Sequence, residues 1–317
     1  MKRICIFFFW DKHGIVDDYV VYYLKSLKPF FKELCVVVNG EITELSKSKL
    51  IPYADNIILR ENKGLDAGAY QFAILHYGYN KLAEFDELLC TNFTYYGPFY
   101  PLNEMFSEME KQNCDWWGLY KWHINAYRGK PEYRHIPSFF VVYRKTLISN
   151  KLFRDYWDNL EDTSTYELSV LNHEQKQTPF FDKHGFKCKT FIDDTLFSEY
   201  WNTNQWPLVC ADTLIMQYKF PFIKRRNFFL ENGEFIYPKV LLNIIPFIKK
   251  CTKYNLHLIK DNIARTQNFE YKKVPFFTFL KWKILSKIHI SSKHRKRYQE
   301  KIERNNCKHF EYIWELF

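Results

Sequence analysis

Apolar runs and helical stripes alternate along the first 65 residues. The unbroken segment "ICIFFFW" (Ile4 to Trp10) is predicted to be a strand buried on both faces, because a half-exposed strand would carry polar residues at every second position. In "DDYVVYYLKSLKPFF", Val20, Tyr23, Leu24 and Leu27 fall on one helical face. "KELCVVVNG" is a second β-branched strand stopped at Asn39-Gly40, "EITELSKSKLIPYA" a short helix with Pro52 near its end, and "NIILR" a third strand. Repeated β-α-β units with continuous apolar strands imply an α/β fold of Rossmann type, a mostly parallel sheet flanked by helices.

The same alternation continues. "ENKGLDAGAYQFAILHYGY" opens as a glycine-bearing loop and becomes a helix, and "FDELLCT" is the next strand. "YPLNEMFSEMEKQNC" is a helix leading into "DWWGLY", and "SFFVVYRKTLI" is a strand followed by a helix. Past Tyr166 the pattern is helical with short loops until "PFIKRRNFF". One α/β domain is expected over 1–230, followed by a basic, mainly helical extension over 231–317.

Charge sharpens that division. The chain of 317 residues carries a formal net charge of +10, yet residues 238–317 hold 18 Lys plus Arg against 6 Asp plus Glu, which is +12, so residues 1–237 are at −2. The basicity belongs to the extension. The apolar run at the start is too short for a signal peptide and meets Asp11 and Lys12 instead of small residues, and no run reaches the ~20 apolar residues of a membrane span. The eight cysteines form no C-x-x-C pair, and Cys5, Cys35 and Cys90 sit inside strand-like runs, so reduced core thiols are expected. These features point to a cytoplasmic, non-spanning protein.

Candidate chemistry lies at strand ends and loops. In "CTNFTYYGPF" a strand runs into Asn92 and Thr94 and stops at Gly97-Pro98, the carboxyl end where open α/β sheets bind ligands. In "RENKGLDAGAY", Gly64 and Gly68 bracket Asp66 ahead of a helix; backbone N–H groups there suit an anionic or polyhydroxylated ligand, with Asn62 and Asp66 facing sugar hydroxyls, although a helix-entry loop capped by Asp66 would read the same. Lys224, Arg225 and Arg226 offer cationic donors to a diphosphate, or form an exposed basic turn. Asp115 adjoins Trp116 and Trp117, whose bulk could raise its pKa or stack on a sugar ring. Glu174 stands four residues before Thr178, on one helical face, where a surface glutamate is the ordinary case; His173 could do similar proton work.

Taken in order, "DKHGIVDDYVVYYL", "ENKGLDAGAY", "FDELLCTNFTYYGPFYPL", "CDWWGLY", "PSFFVVYRKTLI", "HEQKQTPFFDKHGF" and "PFIKRRNFF" resemble the rhamnan synthesis F family of bacterial polysaccharide glycosyltransferases, relatives of GT-A enzymes, over residues 1 to about 230. The resemblance implies transfer of a sugar, commonly nucleotide-linked rhamnose with dTDP-rhamnose favoured, to a lipid-linked glycan acceptor at the inner membrane face. It implies a donor site built from Asp11, Asn39, Asn62, Lys63, Gly64, Asp66, Gly68, Asn92, Thr94, Lys224 and Arg225. Glu174 becomes the general base, with Asp115 as second choice, and Trp116, Trp117 and His123 the acceptor side.

Phe93 departs from the pattern, for the family usually shows Asn-Asp-Ser where this chain has Asn92, Phe93 and Thr94. A divalent cation, Mg or Mn, would lose its anchoring carboxylate. Three alternatives follow: Lys and Arg offset the leaving-group charge, other oxygens hold a metal weakly, or catalysis is lost and the protein is a silent glycan- or nucleotide-binding subunit. The tail "KVPFFTFLKWKILSKIHISSKHRKRYQEKIER" mixes aromatic and basic residues as an anionic membrane surface would require. No nucleic-acid-binding motif is present.

Overall fold

The first strand, β1 (Arg3–Phe9), is buried along its whole length, as its unbroken apolar run predicts. In this computed structural model, which describes residues 1–124, 133–203, 206–228 and 238–267, β1 is central to a seven-stranded sheet. It pairs in parallel with β2 (Glu33–Asn39), which pairs in parallel with the edge strand β3 (Asn56–Arg60). On its other side it pairs in parallel with β4 (Glu87–Asn92). The chain thus reverses its direction of advance across the sheet between β1 and β4, and at such a point the diverging loops leave a crevice.

Three strands extend the sheet beyond β4. The short β5 (Tyr95–Tyr96) leaves the sheet plane, β6 (Trp116–Gly118) re-enters it, and β7 (Trp122–Ile124) and β8 (Tyr133–His135) form an antiparallel hairpin that the sequence pattern does not reveal. β9 (Phe140–Arg144) lies antiparallel between β4 and β6, and β10 (Cys188–Thr190) adds a parallel edge next to β6, within a stretch whose pattern reads as helical. The order is β10-β6-β9-β4-β1-β2-β3, and β9 is the antiparallel member.

The helix Asp18–Leu27 buries Val20, Tyr23, Leu24 and Leu27, the stripe read from sequence, and the helix Leu65–Tyr77 buries Ala69, Tyr70, Ala73 and Ile74. The last strand, β11 (Ile223–Lys224), pairs antiparallel with β5, so that "PFIKRRNFF" lies alongside "NFTYYGPF". Gly97 closes this contact at φ +132°, where an added Cβ would collide with the carbonyl oxygen of Pro221.

The extension is less separate than its charge suggests. Helices Pro238–Cys251 and His257–Gln267 bury Leu241, Ile244, Ile245, Ile248, Ile259 and Ile263 in the same apolar cluster as the sheet. Arg265 pairs with Asp17 at 2.6 Å and Asp11 at 2.7 Å, and Asn262 accepts the Tyr96 hydroxyl at 2.6 Å. The expected boundary near residue 230 therefore does not separate two cores. The aromatic and basic stretch after residue 267 lies outside the described residues. Among the described residues no helix is long and apolar enough to cross a membrane, and the cysteines are free thiols.

Candidate functional site

The carboxyl ends of β1, β2 and β4 and the amino end of the antiparallel β9 meet at one edge of the sheet, and most of the polar residues singled out from sequence gather there. Asn92 ends β4, and its amide orientation is fixed. Its Oδ1 accepts from Thr94 N at 3.0 Å and Thr94 Oγ1 at 2.6 Å, which turns Nδ2 toward Asp66 Oδ2 at 3.0 Å. Asp66 sits in the first turn of the helix Leu65–Tyr77, with its Oδ1 accepting from Ala67 N. Before it the backbone is left-handed at Gly64 (φ +74°) and at Leu65 (φ +50°), a conformation costly for leucine and of the kind that clusters at ligand sites. A Cβ on Gly64 would stand 2.9 Å from Thr163 Oγ1, which itself donates to the Gly64 carbonyl.

Ser138, which sequence reasoning missed, joins two carboxylates. Its Oγ is 2.5 Å from Asp66 Oδ2 and 2.7 Å from Glu174 Oε1, and its amide donates to Glu174 Oε1 at 2.9 Å. Thr178, one helical turn further, accepts from Ile136 N at 3.0 Å, so the shared face of Glu174 and Thr178 grips the backbone ahead of β9. Glu174 ends a π-helical stretch, Val170–Glu174, between two α-helical segments. Such insertions are frequent at functional sites, because they re-aim a side chain within a continuing helix. Glu174 Oε2 accepts no hydrogen bond from the described residues.

Charges around Glu174 favour its ionised form. Burial pushes its carboxyl up, but His135, Lys224 and the Ser138 donors outweigh this and hold it below the usual glutamate value. Burial holds His135 at about 4, so at neutral pH the cation facing Glu174 is Lys224. Burial lowers Lys224 to about 8, against the attraction of Glu174. Its ammonium lies 5.2 Å from the Trp122 ring and 5.8 Å from the Tyr95 ring. Asp66 moves the other way: burial raises it, and the nearby Glu174 charge raises it further.

Asn39 and Arg60 complete the adjoining wall. Arg60 Nη1 donates to Asn39 Oδ1 and to the Lys63 carbonyl, both at 2.9 Å, and Asn39 Nδ2 approaches the Leu65 carbonyl at 3.4 Å and Asn62 Oδ1 at 3.5 Å. Asn62 and Lys63 are themselves exposed, and Gly68 turns its amide onto the Gly64 carbonyl. Asp11 is at the same edge but engaged: its carboxylate meets Arg265 and the amides of His13 and Ile15, and although burial pushes it up, these contacts hold it low.

Several expectations change. Asp115 stands just before β6, at the opposite edge of the sheet from Glu174, where it accepts from Thr146 Oγ1 at 2.7 Å and Lys187 N at 2.8 Å. Trp116 and Trp117 are 0% exposed, so neither ring has a face for a sugar. His123 is buried within the hairpin, and the neighbouring Trp122 is the residue that faces the site. Arg225, which follows β11 in a short 3₁₀ turn, packs over the rings of Tyr19 and Phe93 at 5.4 and 5.5 Å, apart from the Tyr95 and Trp122 rings that Lys224 meets.

Phe93 is packed edge-on against Phe8 and Phe9 and is 9% exposed. At the position where the resemblance places a metal-binding aspartate, the ring offers no ligand atom, and the flanking Asn92 has both amide ends engaged. Among the described residues no three His, Cys, Asp or Glu side chains converge as a metal centre. These residues do not fit a cation held in the usual way.

Ser138 carries no local signal, since its carboxylate partners lie 72 and 36 residues away, and Arg60 meets Asn39 across 21 residues. The proline-flanked "IPSFF", directly before a strand, is the nearest hint that Ser138 stands at an edge.

The likeness to solved structures is broad and weak. A protein described as a nucleotide-diphospho-sugar transferase from Desulfovibrio desulfuricans G20 is 14% identical with a TM-score of 0.36, covering 69% of this chain and 99% of that one. A 4-diphosphocytidyl-2C-methyl-D-erythritol synthase from Anaerococcus prevotii is 13% identical with a TM-score of 0.38, covering 61% of this chain and 88% of that one. The uncharacterized protein y4gN of Sinorhizobium fredii is 24% identical over 151 residues, and the matched stretch covers 48% of this chain but 38% of that relative. The profile of the rhamnan synthesis protein F family matches residues 34–303, most of the sequence, and the chain belongs to that family.

Proposed function

We propose that this chain is a glycosyltransferase of polysaccharide synthesis that moves a sugar from a nucleotide-sugar donor, dTDP-rhamnose being favoured, to a lipid-linked or growing surface glycan with inversion. The observation that carries this reading is Glu174: ionised, set at the end of a π-helical turn by the strand carboxyl ends, with no hydrogen bond to Oε2 from the described residues and with the Lys224 charge acting on it. Family membership supports the reaction class.

Glu174 takes the acceptor hydroxyl proton as that oxygen forms its bond to the anomeric carbon. The bond from that carbon to the diphosphate breaks, and its electron pair leaves with the phosphate oxygen. Lys224 offsets the charge that develops there, and Asn39, Arg60 and the Asn62–Gly68 loop form the wall against which the nucleotide lies. Attachment to the inner face of the cell membrane would rest on the segment after residue 267.

A silent binding subunit is the second reading, favoured by the apolar packing of Phe93. Thermal-shift titration with dTDP-rhamnose and with UDP- and GDP-sugars, followed by donor turnover with and without EDTA, separates the two. The expected outcome is one preferred donor and turnover that survives EDTA. A protein stabilised by a donor that it never turns over, with its proper acceptor supplied, would be the silent subunit. A strict Mg or Mn requirement would overturn the metal-free step.

A further inference from the structure

The Ser138 hydroxyl has one proton but two carboxylate oxygens within hydrogen-bonding distance, Asp66 Oδ2 at 2.5 Å and Glu174 Oε1 at 2.7 Å. A hydroxyl cannot donate to both. If both carboxyls were ionised, one of these short contacts would set two oxygen lone pairs against each other without a hydrogen between them. Asn92 cannot relieve this, because its amide already donates to Asp66 Oδ2 and its orientation is fixed by Thr94. One of the two carboxyls must therefore carry a proton.

We propose that Asp66, Ser138 and Glu174 share a single proton in the resting protein, held on Asp66 and bridged by Ser138, so that Glu174 alone meets the acceptor as a carboxylate. In this arrangement Asp66 donates to Ser138 Oγ, and Ser138 donates to Glu174 Oε1, which also accepts the Ser138 amide. The asymmetry follows from the neighbours. Glu174 faces Lys224, His135, Tyr95 and Tyr120 and adjoins His173, whereas Asp66 faces the Glu174 charge, Tyr70 and Cys90, with Lys224 exerting a smaller pull. The upward push on Asp66 and the downward pull on Glu174 agree with this direction. Asp66 and Ser138 are positioning residues: they fix the orientation and the charge of the base without touching the acceptor. The proposal deepens the glycosyltransferase reading and rests on it only for the identity of the base.

Infrared difference spectroscopy of the full chain at pH 7, in light and heavy water, tests it without requiring turnover. The C=O stretch of a protonated carboxylic acid, shifted by deuterium, is expected in wild-type protein and lost in Asp66→Asn. In Ser138→Ala, which keeps both carboxyls but removes the bridge, the band should shift in frequency or be lost, and this variant serves if Asp66→Asn does not fold. No such band in wild type, or a band that survives unchanged in Asp66→Asn or unshifted in Ser138→Ala, overturns the proposal. The acid limb of kcat/KM gives a second readout, since replacing a neutral acid by its amide removes no charge. That limb should stay in place in Asp66→Asn, and a fall of a full pH unit would show that Asp66 had been ionised. Absence of the band from wild-type protein with transfer intact breaks the shared proton alone, whereas a wild-type band with no transfer under any donor breaks the transferase reading alone.

Discussion

Two polar clusters, one buried and one half-buried, stand at opposite edges of the same sheet, and their chemistry differs in kind. At the amino ends of β1 and β4, Glu87 is 1% exposed and pairs through Oε2 with Arg3 at 2.6 Å and through Oε1 with Arg144 at 3.2 Å. Arg3 also meets Glu110 at 2.5 Å, and Arg144 donates to the carbonyls of Met109, Gln112 and Cys114. Two cations balance two anions, and both Glu87 oxygens are engaged. At the carboxyl ends, Asp66 and Glu174 are two acids joined by one hydroxyl, and Glu174 Oε2 accepts no hydrogen bond from the described residues. A balanced network holds strands in register. A network that keeps two acids against each other stores a proton difference that a reaction can use.

Breaking the balanced cluster should give the largest effect on stability. Glu87→Gln leaves Arg3 and Arg144 buried without their full counter-charge, and such a loss costs about 3–5 kcal/mol. Chemical denaturation should show that loss, with donor turnover per folded molecule unchanged. Breaking the other cluster should do the reverse. Lys224→Met should lower kcat by about 10²–10³-fold, the scale of losing one preorganised donor to a developing charge, with little change in melting temperature. In the wild type the same group sets the alkaline side of the profile. Burial lowers Lys224 to about 8, so its charge is full below that pH and is lost as pH rises through it, and kcat should fall above about pH 8.

The smallest effect is expected at Asp115, which holds the start of β6 to Thr146 and Lys187. Asp115→Asn should cost about 1 kcal/mol of stability, the worth of a hydrogen bond, and leave transfer unchanged. A large loss of transfer in that variant would return catalysis to the opposite edge and erase the contrast.

Legibility in the sequence followed the range of the interactions. The apolar runs of β1, β2 and β4 and the stripe Val20, Tyr23, Leu24 and Leu27 are local patterns, and they appear as read. The helical spacing of Glu174 and Thr178 was equally local, and both side chains grip the same backbone segment. The hairpin of β7 and β8 and the edge strand β10 are three residues each, too short to show a period. "DWWG" read as a candidate sugar platform because local sequence does not say which side of a strand is covered, and here both sides are. The pairing of Arg265 with Asp11 spans 254 residues, and the bridge from Ser138 to Asp66 spans 72. Neither could be read before the fold brought the partners together.

The most direct test of the central claim, that the open carboxylate at the strand carboxyl ends is the base, is donor turnover by Glu174→Gln at a concentration of folded protein matched to wild type. The expected result is a loss of about 10²–10⁴-fold in kcat with donor affinity retained, the range that removal of a general base produces. Turnover at the wild-type rate in a folded Glu174→Gln protein would contradict it.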